Sequence, residues 1–339
     1  MIRRSCILIL LLSVVLLLMC VPVAQAASWT VMETPTQAHS VAFADSQTGW
    51  VGGKGIVWRT VNGGQDWKAL PAGPHNARSH SPSTAFHGAV ISIGALDRSH
   101  AIAIDSSGMV CATSNGGTSW TKVAIKGAKA VSYADSTHAY VIAGAGVFTS
   151  HDGGMTWSAT PVTGPSPWAS ISVWAPGSGF AVGGAIASTT NGFAGFATSP
   201  VPGGDTDKAL TVRTVGPAAA YLLAVDTVSY YTCSLQMHVL FTGDGGATWV
   251  SKLDLNHVPS DGSRAMAFES ATSGWVVTPE MSRHRGARST GLVRHTTNGG
   301  AKWVTEQVPG NGHLVDMSAP GKGLVWAVTD NGRLLYREP

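Results

Sequence analysis

The octet "TSNGGTSW", Thr113 to Trp120, decides the fold, because near-copies of it recur along the chain. They read "TVNGGQDW" from Thr60, "SHDGGMTW" from Ser150, "TGDGGATW" from Thr242 and "TTNGGAKW" from Thr296. A sixth, "TTNGFAGF" from Thr189, keeps Asn191 and Gly192 and places Phe196 in the tryptophan position. From Asn62 to Asn115 is 53 residues, then 37 to Asp152, 39 to Asn191, 53 to Asp244 and 54 to Asn298. The short gaps set a unit of roughly 40 residues, the period of a propeller or an array, and the long gaps carry insertions.

Three short runs rich in β-branched and aromatic residues precede each octet, for example "SVAFAD", "GWVGG" and "GIVWRT" before the first, and a fourth begins at its Trp. Bounded by Gly, Asn and Asp, such runs read as strands. Four antiparallel strands per unit make a propeller blade, so the chain is all-β. The octet is then the hairpin between the third and fourth strands. Its Asn or Asp bonds the backbone of its own turn, its paired glycines permit positive φ, and its aromatic packs between blades. These roles fall on Asn62 and Trp67, Asn115 and Trp120, Asp152 and Trp157, Asn191 and Phe196, Asp244 and Trp249, and Asn298 and Trp303.

After the sixth octet, "GHLVDMSA", "LVWAVTD" and "RLLYREP" supply three more strands. "SWTVMETP", from Ser28, matches the strands that follow the octets and puts Trp29 in the tryptophan position. The N-terminal strand therefore completes the last blade of a seven-bladed ring, and closure removes the exposed edges of an open array. The octets resemble the Asp-box, or bacterial neuraminidase repeat, of sialidases, sortilin-type receptors and photosystem II assembly-factor-like propellers. That resemblance implies that the boxes are structural and lie on the face opposite the ligand.

Arg3 and Arg4 precede an apolar run from Ile7 to Met19 and then Ala24-Gln25-Ala26, the pattern of a signal peptide spanning residues 1–26. A secreted or envelope-associated protein is expected, with residues 27–339 forming one propeller. If the leader is retained, its length approaches the roughly 17 to 25 residues of a membrane anchor. Beyond it, 20 basic residues face 19 acidic ones, a balance that argues against nucleic acid as partner. Cys111 and Cys233 fall in blades two and five and are expected as free thiols. No cofactor is expected, and the chain reads as a monomer.

In this architecture the turns after strands one and three share one face, and those after strands two and four share the other. Three long insertions go to the second face: Leu70 to Gly88, Asp226 to Met237 and Pro279 to Gly291. Long loops on a rigid scaffold are where function concentrates. The third insertion carries Arg283, Arg285 and Arg288, with Arg294 on the following strand: four arginines in 12 residues. Guanidinium forks match carboxylates and phosphates bidentately. The second insertion adds Tyr230 and Tyr231, residues suited to an interface. His75, His80 and His87 of the first have no acidic partner nearby, so a surface loop is expected in preference to a metal site. Asp45, Asp97, Asp135 and Glu269 recur at the first turn of their blades and read as turn caps. No carboxylate pair stands out for glycoside hydrolysis, which needs two at a fixed separation.

Over residues 27–339 the chain is most similar to the photosystem II assembly- and stability-factor-like group. That resemblance implies a non-enzymatic scaffold whose arginine-rich patch binds a protein, with the blade-six arginines as counterpart. The sialidase-like branch implies instead a glycoside hydrolase or a glycan-binding protein. That branch is usually six-bladed and implies an arginine triad and a tyrosine nucleophile; its early Arg-Ile-Pro signature is absent here. A sortilin-like peptide receptor would carry cysteine-rich modules after the propeller. The expected function is an exported scaffold for a protein or glycan partner, without catalysis.

Overall fold

The computed structural model describes residues 28–32, 37–70, 86–144, 146–161, 167–203, 208–229, 234–258, 265–278, 292–310 and 312–339. Seven four-stranded antiparallel sheets form a seven-bladed β-propeller. In blade one the innermost strand, Ala38–Phe43, is followed outward by Gly49–Gly53, Val57–Thr60 and Lys68–Leu70. Blades two to six repeat that order from innermost strands Val90–Ala95, Ala128–Tyr133, Trp168–Ala175, Lys208–Thr214 and Met266–Phe268. Blade seven takes Leu314–Gly321, Leu324–Thr329 and Leu334–Arg337 from the C-terminus and its outer strand, Trp29–Met32, from the N-terminus. Trp29 pairs with Arg337 and Met32 with Leu334, as the sequence predicts.

Each core lies between two blades, because a sheet with a neighbour on both faces has no solvent side. Every residue of the second strands "GWVGG", "AIAID", "AYVIA" and "GWVVT" is accordingly buried. Between blades one and two, Trp50, Val57 and Leu70 pack with Val90, Ile93, Ala101 and Cys111. Cys111 is a free thiol there, and burial pushes its pKa up to about 12. In blade five the predicted insertion is largely regular structure. Strands Ala220–Ser229 and Ser234–Thr242 continue as a long hairpin, Asp226 opposite Gln236 and Ser229 opposite Ser234, with Val250–Val258 alongside.

Six octets share one hydrogen-bond scheme. In the first, Thr60 Oγ1 donates to Asn62 Oδ1 at 2.9 Å and accepts Gly64 N at 2.8 Å, while Asp66 N donates to Asn62 Oδ1 at 2.9 Å. Equivalent bonds centre on Thr113, Ser150, Thr189, Thr242 and Thr296. The opening Ser or Thr is therefore as much a part of the motif as the Asn or Asp. The second glycine sits at positive φ and against the preceding blade. A Cβ on Gly64 would lie 2.5 Å from Trp326 of blade seven, one on Gly154 2.8 Å from Ile102 of blade two, and one on Gly246 3.0 Å from Phe180 of blade four. Blade four breaks the rule: Phe193 holds this position at φ 66°, fully buried against Tyr140 of blade three. The glycine's space is filled there by the residue itself.

A polar clasp holds the closing strand. Arg337 donates from Nε and Nη2 to the two oxygens of Glu306, each at 2.8 Å, and Trp29 Nε1 donates to Glu306 Oε2 at 2.9 Å. Glu306 lies on the outer strand of blade six, so one carboxylate ties both ends of the chain to a neighbouring blade. His295 Nδ1 is 3.5 Å from Glu306 Oε1, and its ring stacks on Trp275. Burial pushes Glu306 up, but hydrogen bonds from His295, Arg337 and Trp29 and the Arg337 charge hold its pKa at about 2.

Two outcomes are expected. Gly64→Ala destabilises the ring by about 3 kcal/mol, combining overpacking with left-handed strain. Gly245→Ala, at φ 74° with nothing within 4 Å, costs about 1 kcal/mol of strain alone; urea denaturation of both variants checks the difference. The second concerns acid. Glu306 has a folded pKa below the ~4.3 of an unfolded glutamate, so its contribution is complete above that value and is lost as pH falls toward 2. Glu306→Gln should lower stability at neutral pH by about 3 kcal/mol and flatten the acid slope relative to wild type; pH-dependent melting curves read both.

Candidate functional site

The innermost strands enclose a central channel of about 830 Å³. Each strand enters it from the face where the insertions emerge, and six carry a bulge near their start, as between Ala38 and Ser40 or Leu314 and Asp316. A bulge turns one extra side chain off the ladder. His39, Ile91, Lys129, Ala169, Leu210 and Val315 are those residues, and they line the mouth on that face.

Below the mouth, the free edge of each innermost strand directs alternate N–H groups into the channel, where they need acceptors. The preceding blade supplies many of them. Ile93 N donates to Ser40 Oγ, Val173 N to Ser132 Oγ, Val212 N to Ser170 Oγ, Thr214 N to Ser172 Oγ and Phe43 N to Ser318 Oγ, at 2.9 to 3.4 Å. Asp316 takes the same role for blade one: Oδ2 accepts Val41 N at 3.0 Å and Ser40 Oγ at 2.8 Å, while Oδ1 accepts Met317 N of its own strand at 2.9 Å. Burial raises the pKa of Asp316 against the lowering effects of Arg213 and these bonds.

Arg213, on blade five, reaches past the small Ala265 and Ala267 of blade six. Its Nη1 donates to Val212 O at 3.0 Å and Thr211 Oγ1 at 3.3 Å, and its Nη2 stands 4.0 Å from Asp316 Oδ1. Burial lowers its pKa, opposed by the Asp316 charge. Lys129 Nζ makes one long contact, 3.5 Å to Trp168 O. Arg213 and Asp316 were not singled out from the sequence. The available signal was a charge inside each of the strand patterns "LTVRTV" and "LVDMSA".

Arg283, Arg285, Arg288, Tyr230, Tyr231, His75 and His80 lie outside the described residues. Arg294 sits in the middle of the third strand of blade six, opposite Val276 and Thr305, half-buried, with a buried Nε that lacks a partner among the described residues. His87 donates its backbone N–H to Asp105, a fully buried carboxylate that also caps its own turn through Ser107 and Met109. Asp45, Asp97 and Asp135 each accept two backbone N–H groups of their turns. Glu269 differs: its longer side chain accepts Gly323 N of blade seven, and Ser270 caps the turn instead. Among the described residues lining the channel, Asp316 is the one carboxylate.

These features define a single-ring propeller with a hydroxyl-capped, cation-bearing channel. No protein-family model matches the sequence, and no curated protein is similar enough in sequence to match. Solved structures share the fold. One is YCF48 bound to D1 peptide, at 14% identity and a TM-score of 0.64, covering 92% of this chain and 97% of that one. YCF48 from Cyanidioschyzon merolae, at 15% identity and a TM-score of 0.64, covers 92% and 99%. The GH74 enzyme of Niastella koreensis, at 13% identity and a TM-score of 0.63, covers 92% of this chain but 53% of its own. At such identities the likeness establishes the fold alone.

Asp316→Ala strips the acceptor from Ser40 Oγ and from the Val41 and Met317 N–H groups. A loss of about 2 to 3 kcal/mol is expected, and urea denaturation beside Ser132→Ala, which frees one N–H and costs about 1 kcal/mol, checks it.

Proposed function

We propose that the protein is an exported, non-catalytic scaffold that binds a protein partner at the cell envelope, as a monomer, through the face bearing the insertions. The observation that carries this is full-length likeness to a propeller solved with a peptide bound, 97% of that chain being covered. Partner contact is assigned to Arg283, Arg285 and Arg288, with Arg294, Tyr230 and Tyr231 beside them, because guanidinium forks and tyrosines suit an acidic protein surface. Glycan binding or glycoside hydrolysis is the second possibility, favoured by the GH74 likeness, although the chain spans about half of that enzyme.

Asp105, fully buried, and Asp316, partly buried, are each engaged by three or more hydrogen bonds that commit their oxygens to the protein's own backbone and hydroxyl groups. The test is cross-linking capture from the host's envelope fraction, followed by titration of the purified partner. Changing Arg283, Arg285 and Arg288 together to Ala is expected to weaken that complex at least tenfold. Equal capture by both proteins sinks the arginine assignment, and a hit confined to an oligosaccharide panel replaces the protein partner with a glycan.

A further inference from the structure

The channel holds a cation whose donors its own ring leaves partly unfilled. Asp316 has both oxygens filled by Ser40, Val41 and Met317. Arg213 is not correspondingly filled. Its Nη1 bonds its own strand, whereas Nη2 is 4.0 Å from Asp316, outside hydrogen-bond reach, and Nε has no partner among the described residues. A structural Arg–carboxylate pair closes to about 2.8 Å, as Arg337 and Glu306 do at 2.8 Å. Arg213 keeps 32% of its side chain exposed to the channel.

The neighbouring wall is also short of acceptors. By the alternation of the innermost strands, the N–H groups of Met266 and Phe268 on blade six point into the channel. The residues that would cap them from blade five are Thr211 and Arg213. Thr211 Oγ1 is taken by Arg213 Nη1 and approached by Ser170 Oγ at 3.4 Å, and Arg213 is itself a donor. Unfilled guanidinium donors thus stand beside uncapped backbone N–H groups, and Lys129 of blade three adds a second cation to the same channel.

We propose that this corner of the channel, between Arg213 and the blade-six strand, is a binding site for an oxyanion: a carboxylate or a phosphate carried by a small molecule or by the end of a chain. Such a group takes the Nη2 and Nε donors and the strand N–H groups together, in the geometry a planar fork favours. The Asp316 carboxylate nearby is screened by its three donors and opposed by the charge of Arg213. The site requires no macromolecular partner and stands whether or not the insertion face binds one.

The test is titration of the intact protein with acetate, succinate, inorganic phosphate, and one short peptide in free-carboxylate and C-terminally amidated forms. Each is read by calorimetry and thermal shift against sodium chloride at equal ionic strength. At least one oxyanion should bind and raise the melting temperature beyond chloride, with affinity at least tenfold weaker in Arg213→Leu and intermediate in Arg213→Lys. The carboxylate, phosphate and peptide arms identify the source. In wild type the Arg213 Nε–H resonance, assigned by its loss in Arg213→Lys, should move on binding, which keeps the test decisive if Arg213→Leu does not fold. Binding unchanged in Arg213→Leu, or no oxyanion shifting that resonance at tens of millimolar, overturns the proposal and leaves Arg213 as a strut.

Discussion

A hairpin glycine pressed against a neighbour's bulky side chain is the contact on which the ring rests. Gly64 meets Trp326, Gly154 meets Ile102 and Gly246 meets Phe180, in each case a large residue of the preceding blade's second strand. The turn cannot rotate away, because a Ser or Thr hydroxyl holds the glycine's own N–H at about the same point. In two further octets the glycine meets the outer strand instead, Gly117 against Leu70 and Gly300 against Lys252. Phe193 shows that the constraint concerns filled volume and a left-handed backbone, for a buried aromatic at φ 66° satisfies both.

The fold was largely legible because a blade cannot vary its hairpin freely. The Asn or Asp, the glycines and the aromatic each answer to a separate requirement, and six copies make the period plain. Ring closure was legible for the same reason, since Trp29 carries the mark of a fourth strand. Other features were not. The hydroxyl that opens each octet looks like ordinary turn polarity until its bond to the glycine N–H is drawn. Glu269 shares a turn position with three aspartates yet spans to blade seven, a difference of one methylene that sequence position hides.

The channel was the least legible part. Which strand edge faces inward, and therefore which N–H groups lack a ladder partner, depends on register and on bulges that shift it by one residue. Ser40, Ser132, Ser170, Ser172 and Ser318 read as unremarkable strand polarity, yet each accepts a bond across a blade boundary. Arg213 and Asp316 lie about a hundred residues apart in sequence and come together because two alanines separate them around the ring. Attention to long arginine-rich insertions drew away from charges embedded in short strands. In so sparsely charged a chain, a charge inside a strand pattern deserves the same weight as one in a loop.

The closing strand imposes an order of events on the molecule's making. Trp29 is synthesised well before its partner Arg337 and its anchor Glu306, at a sequence separation of 277 from Glu306. Until the strands of residues 314–337 are in place, blade seven is incomplete and blade one has no neighbour on one side. A contact of that sequence separation is slow to form and leaves open strand edges in the meantime. The chain is therefore open to cross-pairing with other nascent copies until blade seven closes, and shielding those edges bears directly on its yield.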